Sequence, residues 1–212
     1  MIPKPRLTEP GLAHFPRQRL SDAQLVHEVA RGDRAAFGVI WDRYAKLVRG
    51  VVFGALGPDS VNEDLVQEVF FAFFRGAANI QEGAALRGYL VGVAVRTAAL
   101  ELRRRKVRRW VGLSATGDVP ELPVAAEDSA GRQSLRALYR VLDQLSNRRR
   151  MVFVLRHVQG LELLEIVLVL ELSESTVRRE LSKAQLQIAA LAKREPSLAE
   201  YLKLRESARG AS

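Results

Sequence analysis

The chain has 212 residues, 48% of them apolar, enough to bury the core of one ordinary domain or of two small ones. Cysteine is absent, which excludes a disulfide framework, a thiolate metal site and a cysteine nucleophile. Against 24 Asp and Glu stand 33 Lys and Arg, a formal net charge of +9, and this balance suits a polyanionic partner.

Residues 1–20 contain Pro and Arg but no apolar segment, so they read as a disordered leader and not as a signal peptide, and the expected location is the cytoplasm. From residue 21 the pattern is helical. Ser21 followed by Gln24 predicts a capping box at the start of a short helix, and Gly32 with Asp33 predicts a stop and a restart. The next helix, over about 34–56, carries Phe37, Ile40, Trp41, Tyr44, Leu47, Val48 and Val51 at spacings of three and four, a core-facing stripe. After the break at Gly57, Ser60 with Glu63 predicts a second capping box and a third helix to about Arg75. Leu65, Val66, Val69, Phe70, Phe73 and Phe74 would cover its buried side. Asp64, Glu68, Phe71 and Arg75 fall on the opposite stripe. An apolar ring between acids on a basic protein points to a protein partner with a basic groove; otherwise Phe71 wraps around the edge of the core.

A Gly- and Ala-rich loop leads into a fourth helix over about 86–110, ending in the cation-rich run Arg103, Arg104, Arg105, Lys106 and beyond. Charges of one sign crowded on a helix repel, and a nearby polyanion relieves that repulsion through counterion release. Trp110 at its end is either a stacking ring for unpaired bases or a core anchor. Residues 113–131 lose the periodicity, turn acidic and read as a linker between a first domain over 21–112 and a second over 132–192.

In the second domain Leu135, Leu138, Leu142 and Leu145 share one face, and Val152, Leu155 and Val158 share the face of the next helix, which Gly160 ends. Cations oppose the dipole at a helix start, so phosphate contact is the better account of Arg148, Arg149 and Arg150. A short helix around 162–170 and a longer one capped by Ser173, with Val177, Leu181, Ala184, Ile188 and Leu191 inward, carry the helix-turn-helix spacing. If the longer one is a recognition helix, Ser175, Arg178, Arg179, Ser182 and Lys183 are donors suited to phosphates and guanine edges. Glu174 either accepts from a cytosine amine or complements the helix dipole. Residues 193–212 read as a polar tail in which Pro196 stops a helix. The fold class is all-α. The most apolar run, over 161–172, is broken by Glu162 and Glu165 and is too short to span a bilayer, so no membrane insertion is expected.

His14, His27 and His157 stand in unrelated contexts without a catalytic or metal-binding companion, so no catalytic residue, metal or cofactor is expected.

The stretches DAQLVHEVARGDRAAFGVIWDRY, EDLVQEVFFAFF and LRGYLVGVAVRTAALELRRRK are similar to region 2 of the extracytoplasmic-function sigma factors, the small two-domain branch of the sigma family. LDQLSNRRRMVFVLRHVQGLELLEIVLVLELSESTVRRELSKA is similar to their region 4. The resemblance implies a non-enzymatic initiation factor that carries promoter recognition to bacterial core RNA polymerase in response to a stress or environmental signal. Asp64, Gln67, Glu68 and Phe71 would then dock on the beta-prime clamp, with the beta flap as a second contact. Asn79, Gln81, Arg96 and the fourth-helix cations with Trp110 would take the melted minus-ten element. Arg149, Ser173, Ser175, Thr176, Arg178, Arg179, Ser182 and Lys183 would take the minus-thirty-five element. The resemblance also implies an inhibitory anti-sigma partner. Val95 and Arg96 replace the Arg-Asn pair usual in the family, and Glu171 and Ser175 stand where Gly is common, which implies divergent promoter specificity. The alternative is a free-standing helix-turn-helix regulator acting on operator DNA without polymerase; an RNA-processing enzyme would require a catalytic constellation that the chain lacks.

Overall fold

The computed structural model describes residues 17–80, 86–110 and 129–195, and within these the regular structure is helical throughout. Residues 113–128 of the expected linker, most of the leader and the end of the tail, Pro196 included, lie outside the described residues; the linker's expected last three residues, 129–131, are instead already helical.

A capping box closes the start of α1 (Asp22–Ala30): the Ser21 hydroxyl accepts from the Gln24 amide and the Gln24 side chain accepts from the Ser21 amide. Gly32, at φ 89°, lets the chain reverse, and Asp33 caps α2 (Arg34–Leu56) by accepting from the amides of Ala35 and Ala36. The Asp22 carboxylate pairs with Arg43 and accepts from the Tyr44 hydroxyl, fixing α1 across α2. Before α3 (Val61–Gly76) the expected capping box at Ser60 and Glu63 does not form: Ser60 is itself helical and makes no side-chain cap. Asp59 takes the role by accepting from the Val61 amide, which leaves Glu63 to pair with Arg49 of α2 at 3.0 Å.

Phe70 and Phe73 of α3 are fully buried, each contributing roughly 2–3 kcal/mol of transfer free energy. Trp41 leans on Phe70 at 4.5 Å between ring centroids, and Phe37 meets Phe70 edge-on. Phe74, expected on the buried side, is instead 41% exposed and meets Phe37 edge-on. α4 (Leu86–Trp110) lies against both α2 and α3.

The remaining helices are α5 (Ser129–Asp143), α6 (Asn147–Phe153), α7 (Leu163–Leu170) and α8 (Glu174–Ala192). α6 widens without a break into a π turn over Val154–Val158 before Gly160, at φ 68°, turns the chain. A wider turn rotates later residues off the α-helical stripe. That is why Val152 and Leu155 are buried while Val158, expected beside them, is exposed. Ser173 caps α8 through the Thr176 amide as the spacing predicts, and Val177 and Ala184 are buried against the preceding helices.

Helices α1–α4 and α6–α8 share one hydrophobic core. Met151, Val152, Leu155, Leu161, Ile166 and Val177 are buried in the same cluster as Ile40, Phe70 and Leu90. α7 and α6 pack on α4, and the π turn packs on α2. α5 forms a smaller cluster with the end of α8 through Ala137, Val141 and Ala192.

Glu171, in the turn between α7 and α8, has φ 53° and ψ 43°, the left-handed region in which a side chain is unfavourable. Replacing it with glycine is expected to raise unfolding stability by about 1 kcal/mol. The readout is a higher urea midpoint with an unchanged denaturant slope.

Candidate functional surfaces

Asp64, Gln67 and Glu68 are all exposed on one side of α3, and Phe71 beside them is 56% exposed. An aromatic ring on this stripe lies outside the core, so a rim of acids around an uncovered apolar centre is available to a partner.

Along α4, Arg103, Arg104 and Lys106 are exposed, but Arg105 is not a free cation. Its guanidinium pairs with Asp59 at 2.9 Å and Glu101 at 3.2 Å and donates to the Leu56 carbonyl at 2.9 Å. A cation on the last carbonyls of α2 also complements that helix's dipole. Arg108 pairs with the buried Glu101 at 2.6 Å. Val95 is in the core and Arg96 is exposed. Gln81 and the side chains of Asn79 and Trp110 lie outside the described residues.

The start of α8 gathers hydroxyls: Ser173 Oγ is 3.1 Å from Ser175 Oγ and 2.8 Å from Thr176 Oγ1. Ser182 donates to the Arg178 carbonyl one turn back. Ser175, Arg178, Arg179, Ser182 and Lys183 are exposed, and the other helices pack on the opposite side of α8. Arg178 pairs with Glu174 at 2.9 Å across one turn, so Glu174 serves the helix's own surface in this state. Such exposed pairs contribute about 0.3–0.5 kcal/mol, little enough for a phosphate to displace the acid.

Two of the three cations at the start of α6 are paired within the protein. Arg149 bridges α6 to α8, pairing with Glu180 and Gln187 at 3.1 Å each. Arg150 is buried and pairs with Asp143. Burial holds its guanidinium below the ordinary value, opposed chiefly by the Asp143 charge. Arg148 remains exposed. The acids that offset these cations at the helix start sit seven residues before Arg150 and thirty-one after Arg149, beyond the reach of a local dipole. Two further residues that the sequence reading did not single out join the halves: Arg87 at the start of α4 pairs with Glu165 of α7, and the Tyr139 hydroxyl of α5 donates to the Phe53 carbonyl of α2 at 2.9 Å. The glutamate breaking the apolar run of α7 was the available signal.

His157 is exposed and 3.1 Å from Gln185, and partial burial lowers its pKa. Among the described residues no group of acids and histidines could hold a metal ion, and no helix is long and apolar enough to cross a membrane.

The two helical blocks match two family models, sigma-70 region 2 over residues 40–108 and sigma-70 region 4 over residues 135–188, together more than half of the chain. The protein therefore belongs to the sigma-70 family, whose members are transcription initiation factors and not enzymes. Its curated relatives narrow this to the extracytoplasmic-function branch. The chain is 26% identical over 183 residues to the RNA polymerase sigma-H factor of Pseudomonas aeruginosa, covering 77% of this chain and 90% of that one. It is 24% identical to the sigma factor SigM of Mycobacterium tuberculosis (86% and 90% covered) and 26% identical to the sigma-E factor of Escherichia coli (79% and 92% covered). In fold it is similar to CnrH, solved with the cytosolic domain of CnrY, at a TM-score of 0.62 and 21% identity over 82% of this chain and 98% of that one. It is also similar to RpoE of Bartonella quintana, solved with the anti-sigma factor NepR, at a TM-score of 0.59 and 16% identity over 74% and 96%. The protein directs promoter-specific transcription initiation by RNA polymerase.

Removing the partner of a buried cation leaves it unpaired in the interior. Asp143→Ala is expected to cost about 2 kcal/mol by chemical denaturation. Arg150→Met, which removes charge and unpaired Nε together, is expected to stay within about 1 kcal/mol of the parent.

Proposed function

We propose that the exposed faces divide the work of initiation among three contacts. The acidic stripe Asp64, Gln67 and Glu68 with Phe71 docks on the beta-prime clamp of core polymerase. The outward side of α4, with Arg96, Arg103, Arg104 and Lys106, binds the melted minus-ten element together with Asn79, Gln81 and Trp110. The outward side of α8 enters the major groove at the minus-thirty-five element, where Ser173, Ser175 and Thr176 hold phosphate and Arg178, Arg179, Ser182 and Lys183 reach phosphates and base edges. Region 4 also meets the beta flap.

The observation that carries this reading is the segregation of sign: an exposed acidic face with an aromatic centre on α3, and an exposed cationic face on α8, in a chain with a large cationic surplus. Arg105 and Arg149 act through position, holding α2, α4, α6 and α8 in register. An anti-sigma protein is the expected inhibitory partner, consistent with the RpoE neighbour solved with the anti-sigma factor NepR.

The test is a pull-down of the purified protein with bacterial core RNA polymerase, followed by promoter-dependent run-off transcription. Stable association and new initiation sites support the proposal; specific binding to duplex DNA with no polymerase association would favour a free-standing regulator. Asp64→Ala combined with Glu68→Ala is expected to weaken core binding by tenfold or more while leaving duplex contact by region 4 unchanged. Lys183→Ala is expected to leave core binding intact and to reduce the salt dependence of upstream-element binding by about one counterion. The reverse pattern would refute the assignment of surfaces.

A further inference from the structure

α8 carries two acids, Glu174 and Glu180. Glu180 is buried, so Glu174 is the one acid exposed on this helix, at its first residue and among Ser175, Arg178, Arg179, Ser182 and Lys183. A carboxylate at a helix start complements the dipole, and an exposed ion pair one turn on adds little more. Against that small gain stands its repulsion of every phosphate approaching the surface assigned above to the minus-thirty-five element. The geometry of its partner supplies a stronger reason for an acid at this place.

The Arg178 guanidinium meets Glu174 along one edge: Nε and Nη2 both donate to Oε1, at 2.9 and 2.5 Å. Arginine holds five donors in a rigid plane, so this contact uses two of them. Left over is the end-on edge, Nη1 together with the second hydrogen of Nη2. Such a pair of parallel donors is what O6 and N7 of guanine accept in the major groove. A phosphate can take the carboxylate's place on Arg178, whereas a guanine can bind with the carboxylate still in position. Arg179 lacks an equivalent hold. Its Nε lies 3.7 Å from Glu180 Oε1, beyond hydrogen-bond distance, and the Glu180 carboxylate is engaged by Arg149 at 3.1 Å.

We propose that Glu174 is a specificity-determining residue: it orients Arg178 so that the remaining edge reads one guanine of the upstream element, while Arg179 serves as an unoriented phosphate contact. The inference rests on the assignment of α8 to that element. An arginine already held in its binding orientation loses less freedom when the base arrives. The benefit falls on the base that matches both donors. Because the same carboxylate repels duplex in general, Glu174 lowers overall affinity and raises discrimination.

The test is selection by the reconstituted holoenzyme, the full chain with bacterial core RNA polymerase, from promoter duplexes randomised through the upstream element. Competition binding then compares the selected duplex with one in which the guanine's G·C pair is replaced by A·T. The parent is expected to select a guanine that Arg178→Ala no longer selects, and the A·T replacement is expected to weaken parent binding by about tenfold. Glu174→Ala is expected to bind the replaced duplex more tightly than the parent does and to reduce the guanine preference to about twofold or less. Glu174→Gln, whose amide oxygen can still accept from Nε, is expected to gain general affinity and keep most of the preference. Arg179→Ala is expected to weaken binding to both duplexes equally.

If Glu174→Ala gains affinity for both duplexes alike with the guanine preference intact, the acid is a repulsive charge only and the orienting role is overturned. Equal loss of preference in Glu174→Gln and Glu174→Ala would also overturn it, as would a guanine that depends on Arg179 and not on Arg178. A parent holoenzyme that selects no upstream sequence would instead refute the assignment of α8, and the inference with it. Urea midpoints of the parent and both Glu174 variants are expected to lie close together. A fall in midpoint with equal loss of binding to both duplexes would assign Glu174 to helix stability and overturn the proposal.

Discussion

The burial of α4 on two sides is the constraint on which the rest of the molecule depends. Leu90, Val91, Val93, Ala94 and Val95 are buried in near succession, so the first half of this helix has almost no solvated face. A helix that is apolar all round cannot lie on the outside of a small domain; it needs a layer on each side. α2 and α3 supply one layer, α6 and α7 the other. From this follows the shared core of the two halves. It also explains why Glu165 breaks the apolar sequence of α7 opposite Arg87.

The cationic surplus serves two physical roles that composition cannot separate. Arg150 is almost wholly buried and Arg105 mostly so, and each is matched by a carboxylate. The cost of leaving such a charge unpaired, on the order of several kcal/mol, forces this matching. Arg103, Arg104, Lys106, Arg178, Arg179 and Lys183 are exposed. Water already solvates them, so an acid nearby gains little and a polyanion can compete for them. Burial therefore decides which cations are struts and which remain available to nucleic acid.

This division marks how far the sequence was legible. Helices α1, α2, α4, α7 and α8 follow from local capping and periodicity, since a cap is decided within about four residues. The same local signals placed the outward stripe of α3 and the exposed donors of α8. What escaped was decided elsewhere in the chain. Ser60 with Glu63 has the composition of a capping box, but Arg49 draws Glu63 away and Asp59 caps instead. Val158 has the right spacing for the core, but the π turn rotates it into solvent. Arg149 at the start of α6 pairs with Glu180, which lies thirty-one residues on and is invisible to any window of one helix. Partners at long range carry no periodic signature.

The departures from the family pattern can be ordered by the same criterion. Val95 is buried in the core and completes the apolar surround of α4, so an arginine there would be taken out of water. Arg96 and Ser175 are exposed and can vary without disturbing the packing. Glu171 lies between these cases: its side chain is exposed, but its backbone is left-handed, so the cost falls on conformation and not on burial. Glu180 differs from all of these, being a buried acid on α8 that holds Arg149 of α6. A change there would move the helix itself. The outward positions of α4 and α8 can therefore vary independently of the fold, whereas Glu180 is tied to it.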